Sequence, residues 1–347
     1  MYSVVVPMYN EEEVVRETYR RLKAVMDSLG EPYELIFVND GSKDDTLAIL
    51  KEFAAADPAV KIVDFSRNFG HQIAITAGMD YAAGEAVVVI DGDLQDPPEI
   101  IPAMIARWKE GYEVVYGKRK ERKGEPFFKR ATARLFYRLL NRLTEVEMPV
   151  DVGDFRLLDR KVCAALRELP EHNRYVRGII SWLGFRQTSV EFIREPRFAG
   201  RTKYPLRKMM RLAKDALASF SYKPLRLATW LGFLTSGLGV LLFLSALRRR
   251  FAAVEGGSGL LLVLAVNLLL QGTGFLLLGI VGEYLGRIYD EAKRRPLYIV
   301  RETVNLPEIK ERSLGACAAN TTQRLLSATV SQAKPETLVD PSPDARE

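Results

Sequence analysis

A chain of 347 residues with 50 Lys and Arg against 44 Asp and Glu, formal net charge +6, has room for one globular domain and an appendage. Its mild, clustered basicity points to anionic partners such as nucleic acid, phospholipid or a phosphorylated substrate. The two cysteines, Cys163 and Cys317, lack metal-ligand spacing, which argues against a thiolate metal site or a nucleophile and for reduced thiols on the cytosolic side.

No basic n-region and apolar h-region precede Tyr2-Ser3-Val4-Val5-Val6, so no cleaved signal peptide is expected. The first third of the chain then alternates strand and helix. Residues 3–6 read as strand, 11–29 as helix, 34–38 as strand, 43–56 as helix, 60–65 as strand, 73–83 as helix and 85–90 as strand. Ser42 and Asp45 form a capping box for the second helix. This succession predicts a doubly wound, mostly parallel α/β sheet of the nucleotide-binding type. The polar loops Pro7-Met8-Tyr9-Asn10-Glu11-Glu12, Asn39-Asp40-Gly41-Ser42 and Ser66-Arg67-Asn68-Phe69-Gly70-His71 all follow strands and so share one edge of it. His71, one of two histidines, reads as a loop organiser rather than a base. With no Gly-x-Gly-x-x-Gly and no Gly-Lys-Ser/Thr, a dinucleotide or P-loop phosphate site is not expected.

The apolar run Val87-Val88-Val89-Ile90 is a buried strand, and Asp91-Gly92-Asp93-Leu94-Gln95-Asp96-Pro97-Pro98-Glu99 follows where it ends. Open α/β sheets bind ligands at such ends. Asp91 and Asp93, two apart across a glycine, can reach one hard cation, with Gln95 adding a neutral oxygen. Alone, Asp-x-Asp reads as a surface turn; directly ending a buried strand, it reads equally as a divalent-metal site. Pro97 and Pro98 stop the loop and start a helix.

From Gly117 to Arg142 the charge turns positive, through Lys118, Arg119, Lys120, Arg122, Lys123, Lys129, Arg130, Arg134, Arg138 and Arg142. Phe127, Phe128, Leu135, Phe136, Leu139 and Leu140 are interleaved so as to leave one apolar face. That combination fits a membrane surface or a lipid phosphate better than nucleic acid. Asp154, after Gly153 and before Phe155, projects an acid from a hydrophobic setting, where a helix cap or local salt bridge stands beside a functional role. Arg194, Arg197, Arg201 and Lys203 surround Gly200, with Arg197 and Lys203 the candidates for contacting phosphate. An amphipathic interfacial helix follows, with Leu206, Met209, Met210, Ala213, Leu217 and Phe220 on its apolar stripe.

Residues 227–247 and 256–282 carry no charge, and at about 1.5 Å per residue each exceeds the ~30 Å hydrocarbon thickness, so both are expected to span a membrane. Arg248, Arg249 and Arg250 between them are outnumbered by Arg207, Lys208, Arg211, Lys214, Lys223, Arg226, Arg287, Lys293, Arg294 and Arg295 outside them. The amino-terminal domain is therefore expected in the cytosol, on an integral protein of the inner, cytoplasmic membrane. Asn267 with Gln271, and Gly282-x-x-x-Gly286, could glue the hairpin to itself or to other subunits, as in a homo-oligomer such as a tetramer. Residues 313–347 read as a disordered tail.

Taken together, Val6-Pro7-Met8-Tyr9-Asn10-Glu11-Glu12, Val38-Asn39-Asp40-Gly41-Ser42, Ser66-Arg67-Asn68-Phe69-Gly70-His71-Gln72, Asp91-Gly92-Asp93-Leu94-Gln95-Asp96-Pro97-Pro98-Glu99, Val152-Gly153-Asp154-Phe155-Arg156-Leu157 and Gly200-Arg201-Thr202-Lys203-Tyr204 resemble glycosyltransferase family 2. More narrowly they resemble its polyprenyl-phosphate branch, which includes bactoprenol glucosyltransferases and dolichol-phosphate mannose synthase. The family usually has Ser where this chain has Thr202, which keeps the hydroxyl. The resemblance implies a GT-A (Rossmann-like) catalytic domain over residues 1–193, a juxtamembrane amphipathic segment over 194–226, a two-helix transmembrane hairpin over 227–286 and a cytosolic juxtamembrane segment over 287–312. It also implies that Pro7, Tyr9 and Glu11 line the base and ribose pocket, that Asp40 bonds the base or ribose, and that Asp91, Asp93 and Gln95 hold Mg2+ or Mn2+ on the donor diphosphate. Arg119 and Arg130 would grip the acceptor phosphate. Asp154 would be a catalytic base or, because a phosphomonoester is already largely dianionic at neutral pH, a group that orients the acceptor.

The expected activity is inverting transfer of one sugar from a nucleotide diphosphate sugar, with UDP-glucose ahead of UDP-N-acetylglucosamine and GDP-mannose, to a polyprenyl phosphate such as undecaprenyl phosphate. A processive polysaccharide synthase would need Gln-x-x-Arg-Trp and more membrane helices. A non-catalytic nucleotide-sugar sensor is opposed by the intact set Asp91, Asp93, Gln95 and Asp154.

Overall fold

In the computed structural model, which describes residues 1–120, 152–169, 171–172, 174–194, 223–251 and 259–306, the apolar runs at the head of the chain become strands. These are β1 (Tyr2–Met8), β2 (Tyr33–Asn39), β3 (Val60–Phe65) and β4 (Ala86–Val89). They pair in parallel with β1 between β2 and β4. Alternate side chains serve opposite faces. Val4, Val6, Phe37 and Val88 pack under α1 (Val15–Ser28), α2 (Thr46–Ala56) and, later in the chain, Ile101, Met104 and Ile105. Val5, Ile36, Val38, Val87 and Val89 pack under α3 (His71–Tyr81) and under Val162 and Ile179 further on. Helices on both faces explain why these strands read as continuous apolar runs.

Pro98 opens a 3-10 turn (Pro98–Ile100) that runs into α4 (Ile101–Lys109), as the proline pair predicted. Next come β5 (Val114–Arg119), β6 (Val152–Asp159), α5 (Arg160–Arg167), α6 (Val176–Trp182) and β7 (Gln187–Phe192). β6 runs antiparallel to β4 and β5, and β5 pairs parallel with β7. The order is β7-β5-β6-β4-β1-β2-β3-β8, where β8 is the late strand Val300–Val304, a mostly parallel, GT-A-like α/β sheet. From β1 the chain moves one way to β2 and β3, while β4 lies on the other side. The carboxyl ends of β1 and β4 therefore frame the crevice at the switch in strand order.

Local starts differ from expectation for identifiable reasons. The first helix begins at Val15 rather than residue 11, because the Glu11 carbonyl accepts the Val14 and Val15 N–H groups in a preceding turn. The capping box does not form: the Ser42 hydroxyl accepts the Asn10 N–H at 3.0 Å, and Asp44 Oδ1 takes the Thr46 N–H at 3.2 Å. The third helix starts two residues early at His71, since Gly70 at φ 105° turns the chain there.

Two long helices follow, α7 (Lys223–Phe251) and α8 (Gly259–Ala292). Among the described residues one helical stretch, Leu269–Ala292, is long and apolar enough to cross a membrane, and the apolar stretch in α7, Trp230–Leu242, is shorter. Gln271 donates to Asn267 Oδ1 at 2.5 Å within α8, so this pair is satisfied by its own helix. At the end of α8, His172 meets Glu291 and the Arg295 carbonyl. The chain then adds β8 (Val300–Val304) antiparallel to β3, so the segment expected only as juxtamembrane joins the catalytic sheet, and Met1–Leu306 is one compact unit. The basic run beyond residue 120, the amphipathic segment and the tail lie outside the described residues.

Candidate active site

Beyond β4 the chain must pass close to the end of β1, and its composition allows this. A Cβ on Gly92 would lie 2.5 Å from Met8 Sδ and 3.3 Å from the Pro7 carbonyl oxygen. Thr18 Oγ1 anchors the passage by donating to the Gly92 carbonyl at 2.9 Å. Leu94, buried, sits at φ 56°, a left-handed conformation that costs a non-glycine residue and is held by its surroundings. Next to that turn the Gln95 N–H donates to Asp93 Oδ1 at 3.1 Å. Asp93 is buried. Asp91 Oδ1 is buried and accepts no hydrogen bond. Burial raises the Asp91 pKa to about 6, against the pull of His71 and with Asp154, Asp96 and Asp93 pushing the same way as burial.

Facing Asp91 across the crevice is Asp154, on β6 and 5% exposed. Arg177, in the first turn of α6, grips it in a fork, Nε to Oδ1 at 2.7 Å and Nη2 to Oδ2 at 2.9 Å. Gln72 Nε2 donates to Oδ2 at 3.2 Å, and His71 Nε2 lies 3.3 Å from the same atom. Burial alone would raise this carboxyl, but Arg177 and His71 outweigh it and hold Asp154 well below the usual carboxylate range. His71 Nε2 is also 3.3 Å from Asp91 Oδ1, so the ring bridges the two acids. Burial disfavours its charged form, but the two acids prevail and raise its pKa to about 9. His71, Asp91 and Asp154 have ligand atoms within 4.8 Å of one another and form a group that could hold a metal ion.

A third acid in the loop, Asp96, is fully buried, and neither of its oxygens accepts a hydrogen bond. Arg119 Nη2 lies 3.6 Å and Arg194 Nε 3.8 Å from it. Gly153 keeps that approach open, since a Cβ there would meet Arg119 Nη2 at 2.7 Å. Burial raises the Asp96 pKa, with the two guanidinium groups opposing. Arg194 also donates to Gln95 Oε1 at 2.5 Å.

Of the residues expected at the site, Asp91, Asp93, Gln95, Asp154 and Arg119 gather around the end of β4, with Arg119 turned to Asp96. Pro7 is buried at the end of β1, and Tyr9 and Glu11 are half-buried in the loop after it. Glu11 donates its N–H to Thr46 Oγ1 at 2.9 Å. Asp40, 3% exposed, accepts the Phe69 N–H at 2.6 Å and the Gly70 N–H at 3.0 Å, so its carboxylate braces the Ser66–Gly70 loop. Burial raises its pKa and those two N–H groups oppose the rise. Arg130, Arg197 and Lys203 lie outside the described residues. His71 proves more than a loop organiser, because it stands between the two facing acids. Arg177, Gln72, Asp96 and Arg194 carried no assignment from sequence. Asp96 and Gln72 at least fall inside quoted motifs, whereas nothing around Arg177 marks it.

Residues 3–167 match glycosyl transferase family 2. The chain is 58% identical over 305 residues to the uncharacterized glycosyltransferase YkcC of Bacillus subtilis (strain 168), covering 88% of this chain and 94% of the relative. It is 38% identical over 301 residues to the bactoprenol glucosyl transferase of Shigella phage SfII, covering 87% of this chain and 97% of the relative. Among solved structures, glucosyl-3-phosphoglycerate synthase from Mycobacterium tuberculosis in complex with Mn2+, uridine-diphosphate-glucose and glycerol 3-phosphate aligns with TM-score 0.44 at 22% identity, over 63% of this chain and 78% of that one.

Proposed function

The chain belongs to glycosyltransferase family 2, and from that premise we propose that it transfers a single sugar, with inversion, from a nucleotide diphosphate sugar to the phosphate of a membrane polyprenyl phosphate. UDP-glucose is the donor this reading favours and undecaprenyl phosphate the acceptor. The observation that carries it is the gathering of Asp91, Asp154 and His71, with ligand atoms within 4.8 Å of one another, beyond the end of β4, in a unit whose own α8 is apolar enough to enter a membrane. The relative named as a bactoprenol glucosyl transferase supports glucose as the sugar and a bactoprenol lipid as what receives it.

In this reaction an acceptor phosphate oxygen attacks the anomeric carbon opposite the nucleoside diphosphate, which departs with the electron pair of the C–O bond. The residues present fit a divalent ion, because the buried Asp91 Oδ1 accepts no hydrogen bond and has the His71 ring, 3.3 Å away, as a cationic neighbour. Asp91 and Asp93, with Gln95, would hold Mg2+ or Mn2+, which when bound supplies positive charge beside the departing diphosphate. Pro7, Tyr9, Glu11 and Asp40 fall to the nucleotide, Asp40 through the loop it braces. Arg119, Arg130, Arg197 and Lys203 fall to the phosphates.

Asp154 suits orientation better than proton removal. Four donors already converge on its two oxygens, and a dianionic acceptor has no proton to give up. Two membrane spans, α7 and α8, with the catalytic domain in the cytosol complete the reading. α8 returns to that domain through His172 and β8, as a hairpin requires.

The test is direct. Protein in lipid with Mg2+ or Mn2+, undecaprenyl phosphate and a panel of UDP-glucose, UDP-N-acetylglucosamine and GDP-mannose is expected to form a lipid-linked monosaccharide of inverted anomeric configuration. Absence of transfer with every donor would sink the reading.

A further inference from the structure

Asp154 is held from three sides, and the holding is itself braced. Arg177 spends its fork on the carboxylate and its remaining Nη1 on the Val152 carbonyl at 3.2 Å. Gln72, whose amide nitrogen reaches Asp154, accepts the Val176 N–H at 3.2 Å on its own oxygen, so the first turn of α6 fixes both donors. Arg156, buried beside them, donates to the Gly153 carbonyl at 2.9 Å and stiffens the strand just before the acid. On the far side His71 links Asp154 to Asp91. The Asp91 oxygen in that link accepts no hydrogen bond, and the imidazole 3.3 Å away is the charged group placed against it.

We propose that Arg177 is a positioning residue for sugar transfer: from α6 it fixes the Asp154 carboxylate and, through His71, the aim of Asp91 at the floor of the crevice. The inference rests on the transfer reaction proposed above and adds the residue that sets its geometry. A planar guanidinium spans both carboxylate oxygens at once, and an ammonium does not. Without the fork Asp154 is free to turn toward His71 and draw the imidazole off Asp91. A displacement of about 1 Å in reacting groups costs on the order of 100-fold in rate.

Arg177→Lys, Arg177→Gln, Asp154→Asn and the Arg177→Gln/Asp154→Asn double variant are compared with wild type in lipid. The readouts are kcat, KM for the nucleotide sugar, UDP affinity by calorimetry and melting temperature. Arg177→Gln is expected to lower kcat about 100-fold with KM and UDP affinity within about threefold of wild type. Arg177→Lys is expected to recover little of the loss while melting as wild type does. The double variant is expected to be no slower than the slower single one, because residues acting as a unit do not add.

Multiplied losses in the double variant overturn the proposal, as does full turnover in either Arg177 variant or a defect confined to KM. Should Arg177→Gln fail to fold, Arg177→Lys decides alone: folded and slow upholds the fork, folded and fast overturns it. Should wild type transfer no sugar at all, the proposed reaction falls and the clamp is judged separately. The same cycle is then read on Mn2+ affinity by electron paramagnetic resonance, where non-additive changes uphold it and additive ones overturn it.

Discussion

At the scale of single residues, the site is built from acids whose neighbours assign them different tasks. Asp91 keeps an oxygen without a donor, Asp154 has donors on both oxygens, and Asp40 faces two backbone N–H groups of the loop after β3. The last arrangement gives a clear expectation. Asp40→Ala removes two charge-assisted bonds and should destabilise the protein by about 2 kcal/mol, with a raised KM for the nucleotide sugar as the Ser66–Gly70 loop loosens. Asp40→Asn keeps an acceptor for Phe69 but offers an NH2 group to the Gly70 N–H, so it should fall between wild type and alanine. Denaturant titration and donor kinetics check both, and an unchanged KM in Asp40→Ala would show that the loop holds itself. Asp91 and Asp93 were legible from sequence because their place after a buried strand is a local property. Arg177 was not, since its partner lies on another element and only folding brings the two together.

At the scale of elements, helix α3 approaches β1 more closely than an ordinary side chain allows. A Cβ on Gly78 would stand 2.1 Å from Val5 Cγ1, with both groups buried. Gly78→Ala is therefore expected to destabilise by about 1–3 kcal/mol through overpacking. Val5→Ala should relieve part of that cost, making the pair less damaging than the sum of the singles, as a melting-temperature cycle would read. Because α3 carries His71 and Gln72 into the crevice, Gly78→Ala should also slow transfer more than its stability loss alone explains.

The end of α8 meets the catalytic unit at His172. Nδ1 lies 2.8 Å from Glu291 Oε2 and Nε2 2.5 Å from the Arg295 carbonyl. Two acceptors on one ring call for the imidazolium, in which both nitrogens donate. Burial opposes the charge, but Glu291, the Arg295 carbonyl and Asp290 raise the His172 pKa above its ordinary value. A raised folded pKa contributes stability fully below the unfolded value of about 6.5 and loses it as pH climbs through the folded one. Hydrogen-exchange protection of residues 291–304 should accordingly fall as pH rises above about 6.5 in wild type and stay flat in His172→Ala. Equal pH dependence in both would place the sensor elsewhere.

For the whole molecule, the sheet closes only after the chain has left for the two long helices and returned. β8 covers the β3 edge, Lys51 pairs with Glu302 at 2.5 Å, and Asn305 donates to the Ala54 and Val60 carbonyls at 2.7 and 2.9 Å. Tyr298 stacks on Phe65 with ring centroids 5.2 Å apart and donates to Asp80 Oδ2 at 2.9 Å. Compared with a chain ended at Leu306, one ended at Arg295 exposes an unpaired edge strand and should melt lower and aggregate. Equal melting of the two would make β8 an ornament of the sheet.

The sequence alone determined the alternation of β1 to β4 with their helices, the acids after β4 and the apolar character of the α7 and α8 regions. All of these are written in neighbouring residues, as periodicity and runs without charge. Tertiary structure alone decided the rest: that Asp154 is gripped by Arg177, that Arg119 leans on Asp96, that His71 bridges two acids, and that residues 300–304 return to pair with β3. Those contacts join residues tens to hundreds of positions apart, and their energy comes from burial and charge pairing that exist only once the sheet has brought its edges together.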